Sequence, residues 1–149
     1  MATPSRKLII DNLKTVLESI TVGNGYKSTI KTVEVLAKTW LQTPEVVRPW
    51  LGIVPQETTY QHLPAGRVRS ILKIDIIGHV ANGSYAQKRE RLANLLDDIF
   101  AAVNVDTTRD GNAISTTVVR SETDEGAPEA EGTIVLGLDV AYMRTTGST

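Results

Sequence analysis

Two segments of the chain repeat their apolar residues at the spacing of an α-helix. The first follows a helix-start signal, Thr3-Pro4, and is followed by Gly23-Asn24-Gly25, whose residues tolerate left-handed backbone. The second starts at Ser84 and Gln87, which match a capping box. The apolar stripes contain Ile9, Leu13, Val16, Leu17 and Ile20 in the first segment, and Leu92, Leu95, Leu96, Ile99, Phe100 and Val103 in the second. The opposite face of the second predicted helix carries Arg89, Glu90, Asp97 and Asp98.

Five further segments have the alternation or the apolar content of β-strands. They span residues 28–37, 50–55, 68–80, 114–120 and 133–144. The first is predicted to place Val33, Val35 and Ala37 on one face. The third alternates between a polar face with Lys73, Asp75 and His79 and an apolar face with Leu72, Ile74, Ile76 and Val80. Residues 41–49, which contain two prolines, are predicted to form a loop or a short helical turn.

The element order α, β, β, β, α, β, β predicts an α+β fold. Two helices with one apolar stripe each can cover one face of a four- to five-stranded, mostly antiparallel sheet, which is a two-layer sandwich. We expect a single domain over residues 1–149, with flexible tails at 1–3 and 145–149.

The composition excludes several classes of function. The chain has 16 basic and 17 acidic side chains and a net charge of -1, so it lacks the basic excess of a nucleic-acid-binding protein. It has no cysteine, which excludes disulfides, thiolate nucleophiles and cysteine-based zinc sites. No apolar run approaches the length of a membrane span, so we expect no membrane association.

The sequence offers no catalytic motif. Residues 23–28 contain glycine and lysine but lack the glycine directly before the lysine, and the strand-loop-helix context, of a phosphate-binding loop. His62 and His79 have no nearby partner at metal-ligand spacing and are predicted to be surface residues. The adjacent carboxylates of Asp97 and Asp98 do not face each other on a helix. We therefore predict a protein that is not an enzyme and that has no metal site and no cofactor.

Two polar segments are candidates for contacts with other proteins. The long connection from Gln56 to Gly66, with the start of the next strand, carries Glu57, Tyr60, His62, Arg67 and Arg69, and we predict that these residues contact another subunit or partner. The acidic segment contains Glu122, Asp124, Glu125, Glu129 and Glu131. It is predicted to be an exposed loop, either simply solvated or facing a DNA channel or a neighbouring subunit. Trp40 and Trp50 are predicted to be core or loop-anchoring residues.

The succession of several segments matches a known pattern. These are Ile20-Thr21-Val22-Gly23-Asn24-Gly25-Tyr26, Val33-Glu34-Val35, Arg48-Pro49-Trp50-Leu51-Gly52-Ile53-Val54, Ile71-Leu72-Lys73-Ile74-Asp75-Ile76, Leu92-Ala93-Asn94-Leu95-Leu96-Asp97-Asp98-Ile99 and Leu136-Gly137-Leu138-Asp139-Val140-Ala141-Tyr142. In this order the chain resembles the tail terminator (tail completion) family of long-tailed bacteriophages. The resemblance covers nearly the whole chain and rests on order and pattern.

The resemblance implies a structural virion protein of the tail or neck that is assembled in the host cytoplasm. Such a protein forms a hexameric ring at the head-proximal end of the tail tube, stops tube polymerisation and joins the tail to the head connector. The implied partners are further copies of the chain, the tail tube protein and a head–tail connector or neck protein, and DNA passes through without specific binding. The family has no catalytic residues to carry over.

Three alternatives remain at this point. Another neck component, such as a head–tail connector or adaptor, would have a similar composition and would also form a ring. A small-molecule-binding domain or an enzyme requires a pocket with convergent polar groups. A nucleic-acid-binding module requires a basic stripe or interleaved basic and aromatic residues.

Overall fold

The computed structural model describes residues 5–81, 83–124 and 132–145. The elements are α1 (Ser5–Glu18), β1 (Thr32–Glu34), β2 (Trp50–His62), β3 (Arg67–Val80), α2 (Tyr85–Val105), β4 (Ser115–Thr123) and β5 (Gly132–Thr145). The five strands form one sheet in the order β1-β2-β3-β5-β4, in which β1 is parallel to β2 and the other neighbours are antiparallel. Both helices lie on one side of the sheet, so the predicted α+β two-layer arrangement is confirmed.

α1 forms one wall of the core with the predicted stripe. Its buried side chains are Ile9, Leu13 and Leu17, and Ile20 follows just beyond the helix. The helix ends at Glu18, before the predicted stop at Gly23. Thr21 accepts a hydrogen bond from the Asn24 N–H at 3.2 Å and caps a separate 3-10 turn, which Gly25 closes with a φ of 91°. The predicted helix start at Thr3-Pro4 lies outside the described residues.

α2 begins at the predicted capping box. The Ser84 hydroxyl accepts from the Gln87 N–H at 3.3 Å, and the Gln87 side chain accepts from the Ser84 N–H at 2.9 Å. The buried side of the helix contains Lys88, Leu92, Leu95, Asp98, Ile99, Ala102 and Val103.

Two assignments on α2 were wrong. Phe100 is 52% exposed, because the buried stripe continues from Ile99 to Ala102 and Val103 and leaves position 100 on the flank. Asp98, predicted on the solvated face, is buried and accepts a hydrogen bond from the Lys27 backbone N–H at 3.0 Å. The segment that follows α1 supplies this buried donor, which the helical period of α2 does not reveal.

β2 is much longer than predicted. It passes through Pro55, continues to His62 and turns at Pro64–Gly66 into β3, so most of the expected polar loop is paired strand. β1 pairs only with the first three residues of β2, and beyond them β2 is an edge strand, where a proline is tolerated. A β-bulge between Pro55 and Thr58 shifts the pairing register of β2 against β3.

β1 is shorter than predicted. Val33 is buried, but Val35 is 43% exposed and Ala37 is also exposed, because the chain leaves the sheet after Glu34. Residues 35–48, called here the crossover segment, connect β1 to β2. This segment contains the two short 3-10 turns Trp40–Gln42 and Glu45–Val47, in agreement with the turn predicted in this region.

β3 and β5 pair along their full length, from Arg67 opposite Thr145 to Val80 opposite Gly132. The predicted apolar face of β3 is buried, and so is that of β5. β4 starts after Ile114, has a bulge between Val118 and Arg120, and extends to Thr123.

Candidate assembly surfaces

The crossover segment is held against the sheet face opposite the helices by Trp50 and His79. The two rings stack with centroids 5.3 Å apart and planes 17° from parallel. The Trp50 indole N–H donates to the Glu34 carboxylate at 3.0 Å. His79 Nε2 lies 2.8 Å from the Lys38 carbonyl oxygen, and Nδ1 lies 3.1 Å from the Thr133 hydroxyl. Because a carbonyl oxygen only accepts, Nε2 donates to it.

Both rings are buried. The anchoring role predicted for Trp50 is therefore confirmed, whereas the prediction that His79 is a surface residue was wrong. Alternation placed His79 correctly on the face away from the helices, but the crossover segment covers that end of the face. The side chain of Trp40 lies outside the described part of the structure.

Two further contacts fix the crossover segment. The Lys38 ammonium pairs with the Glu34 carboxylate at 2.9 Å, and hydrogen bonds from Lys38 and then Trp50 hold the pKa of Glu34 below its ordinary value. Gly52 lies directly beneath the segment, and a β-carbon there would collide with the Leu36 carbonyl oxygen and the Trp50 ring. The close approach therefore requires glycine at position 52.

The crossover segment also exposes apolar side chains. Leu41 is 87% exposed and Val46 is 76% exposed, and Val35 and Leu36 add smaller apolar areas. Exposed apolar side chains gathered on one anchored segment are typical of a protein-contact surface. The sequence pattern missed this surface, because it assigned part of the segment to a strand.

The predicted contact residues of the β2–β3 hairpin divide between two faces. Tyr60, which is 56% exposed, and His62 pair with Ser70 and Val68 and thus lie on the helix side of the sheet. Arg67 and Arg69 lie on the opposite side, together with Glu57, whose carboxylate is 3.8 Å from the Lys73 ammonium. Arg67 is exposed, and Arg69 is half-buried. These five residues are named here the distal hairpin set.

A charged network crosses the sheet face that the helices leave open. The Arg120 guanidinium contacts both carboxylate oxygens of Asp75 at 3.2 Å and the Glu122 carboxylate at 3.0 Å. It passes over Gly137, where a β-carbon would lie 2.8 Å from Arg120 Cγ. Gln56 donates to Asp75 at 3.3 Å from the neighbouring strand. This face therefore presents ordered charges between β2 and β4.

The acidic segment, residues 122–131 and called here the acidic connection, joins β4 to β5. Glu122 lies within β4 and pairs with Arg120, so its predicted loop position was wrong. The strand extends because β5 continues opposite it. The Asp124 carboxylate accepts from the Thr133 N–H at 2.8 Å and lies 3.8 Å from the buried Lys88 ammonium. Glu125, Glu129 and Glu131 lie outside the described residues.

The turn after α2 lowers the pKa of one of its own carboxyl groups. Hydrogen bonds from the Thr108 hydroxyl and from the backbone N–H groups of Asp110 and Thr108 lower the pKa of Asp106 to about 2. Arg109 is buried beneath this turn and donates to the backbone carbonyl oxygens of Val103 and Asp106. Burial lowers the pKa of Arg109, and Asp106 opposes that shift.

In the residues that the structure describes, no group of three or more His, Asp or Glu side chains is placed to hold a metal ion. Within the same residues, no helix combines the length and the apolar character needed to cross a membrane. His62 and His79 lie apart, since one is at the hairpin tip and the other is under the crossover segment.

Comparison of the chain with models of known protein families finds no match. Comparison with curated proteins also finds no match.

Proposed function

We propose that the chain is a structural subunit of a bacteriophage tail terminator ring, which stops growth of the tail tube at its head-proximal end and joins the tail to the head connector. Its partners in this proposal are further copies of itself, the tail tube protein and a neck protein. DNA passes through the ring without specific binding.

The observation that carries the proposal is the extent of ordered, exposed contact surface outside the core. The crossover segment is fixed by the Trp50–His79 stack, yet it presents Leu41 and Val46 to the outside. The distal half of β2 is paired strand and still largely exposed. Such surfaces lose little conformational entropy on association, which favours assembly.

A ring needs two different surfaces on each subunit that fit each other and close. The sheet of this chain ends in β1 on one side and in β4 on the other, and these strands have 3 and 9 residues. Two unlike sides are what head-to-tail association between copies requires.

The proposal is tested by adding the purified chain to polymerising tail tube protein of the same phage and imaging the tubes by negative-stain electron microscopy. We expect tubes that carry a ring at one end and whose length no longer increases. Uncapped tubes of unchanged length overturn the terminator function. Binding to a purified neck protein in that case favours a head–tail connector instead.

A further inference from the structure

A hollow of about 430 Å³ opens between the first two turns of α1 and the end of β1. Its described lining contains the apolar side chains of Ile10 and Val35 and the charged side chains of Arg6, Lys7 and Asp11. Lys7 pairs with Asp11 at 2.6 Å, so this lining has one net positive charge. Because β1 is the outermost strand on its side of the sheet, the hollow, called here the α1 hollow, lies at the β1 edge of the molecule.

The only phenylalanine of the chain, Phe100, lies toward the opposite edge and is 52% exposed. Asp98, two positions earlier on α2, faces the segment that follows α1, where it binds the Lys27 N–H. Two positions along an α-helix differ by about 200° around its axis, so Phe100 points away from that segment. Since α1 packs on β1 while α2 packs on β3, β5 and β4, this flank of α2 is the one nearer to the β4 edge.

The helix ends beside these two features carry charges of the wrong sign for their own helices. The positive N-terminal end of α1 has Arg6 and Lys7 in its first turn and no acidic residue there. The negative C-terminal end of α2 has no basic residue in its last turn and is followed by Asp106 and Asp110, while Arg109 is buried beneath them. Each end is therefore better matched by the other end than by its own charges.

A head-to-tail ring brings opposite edges of neighbouring copies together, so it can pair the two features. Phenylalanine contributes a large apolar area and is enriched at interfaces. We infer that Phe100 of one copy inserts into the α1 hollow of the next copy, where it meets Ile10 and Val35, and that the acidic turn after α2 faces Arg6. The inference rests on the ring proposed above and assigns to it a contact between unlike surfaces.

The experiment places one charge on either side of this contact. The knob variant carries Phe100→Asp, and the hollow variant carries Val35→Asp, which changes a side chain that is 43% exposed. The matched control is Val22→Asp, at a position that is 62% exposed and lies beyond the other end of α1. Association is measured by sedimentation velocity, and circular dichroism verifies the fold. Phe100→Ser or Val35→Ser replaces either variant if it unfolds.

We expect the dissociation constant of the knob and hollow variants to rise by about tenfold or more, while the control associates like the wild type. An equimolar mixture of the two variants should form a dimer that does not grow further. The knob variant keeps an intact hollow and the hollow variant keeps an intact Phe100, so the mixture contains one working contact per pair. Variants that associate as well as the wild type overturn the inference, and so does a mixture without dimers.

The wild type separates this result from failure of the ring itself. If the wild type caps tubes but stays monomeric in solution, the variants are compared by tube capping, and unimpaired capping overturns the contact alone. Association of the wild type without capping overturns the terminator function and leaves the contact to the mixing result. A wild type that neither associates nor caps tubes overturns both the ring and the contact.

Discussion

Asp106 is the residue whose ionisation is most directly tied to local structure. Its carboxylate accepts three hydrogen bonds in the turn after α2, and these lower its pKa to about 2. Arg109 and Asp110 in the same turn have φ values of 50° and 59°, a left-handed conformation that needs support from its surroundings. The ionised form of Asp106 therefore stabilises the turn in which Arg109 is buried.

We expect Asp106→Asn to alter the acid dependence of stability. The folded pKa lies below the unfolded value of about 4, so the stabilisation is complete above pH 4 or so and is lost as the pH falls toward 2. Thermal unfolding followed by circular dichroism between these pH values should show a shallower decline for the variant. Asp110→Asn keeps the backbone donor and should retain the wild-type decline; an identical decline in Asp106→Asn contradicts the prediction.

His79 and His62 form a natural pair for comparison. His79 is buried, stacks on Trp50 and contacts the Lys38 carbonyl oxygen, whereas His62 is exposed. We expect His79→Ala to lower the free energy of unfolding by about 2–4 kcal/mol, because it leaves a cavity and an unpaired carbonyl group. His62→Ala should change it by less than about 0.5 kcal/mol. Equal effects in urea unfolding would show that the stack does not hold the crossover segment.

The burial of His79 and of Asp98 depends on contacts that the local sequence pattern does not show. Alternation along β3 assigned His79 to the correct face, but it carries no information on what covers that face. The cover comes from residues 35–48, whose path depends on the early end of β1 at Glu34. In the same way, the buried position of Asp98 depends on the Lys27 N–H, which is 71 residues away in the chain.

At the scale of elements, the sequence correctly predicted those features that depend on residues close together in the chain. The capping box of α2, the α1 stripe and the alternation of buried residues along β3 follow from nearest-neighbour patterns. Pro55 misled the assignment of β2, because a proline ends a central strand but not an edge strand. Which strand forms an edge is a property of the sheet order, and one sequence does not provide that order.

The distal hairpin set offers a test at this scale. We expect Arg67→Glu combined with Arg69→Glu to weaken binding to tail tubes on the order of tenfold, since arginine is enriched among the residues that dominate protein interfaces. The unfolding temperature should hardly change, because Arg67 is exposed and Arg69 is half-buried. Binding is measured by co-sedimentation with tubes.

The matched control for this hairpin test is Lys7→Glu with Lys14→Glu, which makes the same change of charge on α1. If the hairpin variant and the control both bind as well as the wild type, Arg67 and Arg69 do not take part in the contact. A similar loss in both variants indicates that net charge, rather than the hairpin, governs binding.

At the scale of the whole molecule, the candidate contact surfaces lie on different sides of one small core. The helices cover one sheet face, the crossover segment covers part of the other, and the Arg120 network crosses a further part of that open face. The fold class was predictable from the element order, but a pocket lined by Lys27, Lys31, Arg48 and Arg91 was not, because these residues lie far apart in the sequence.

The described edges of the sheet are poorly suited to adding another strand. β1 offers only three residues, the exposed length of β2 is interrupted by Pro55 and its bulge, and β4 has a bulge of its own. These features discourage edge-to-edge pairing. In the proposed ring, copies of the chain would therefore meet through side chains, and such contacts open and close without unravelling any strand. If the chain assembles as proposed, bound subunits should consequently exchange with free ones, so that a misplaced copy can leave and be replaced.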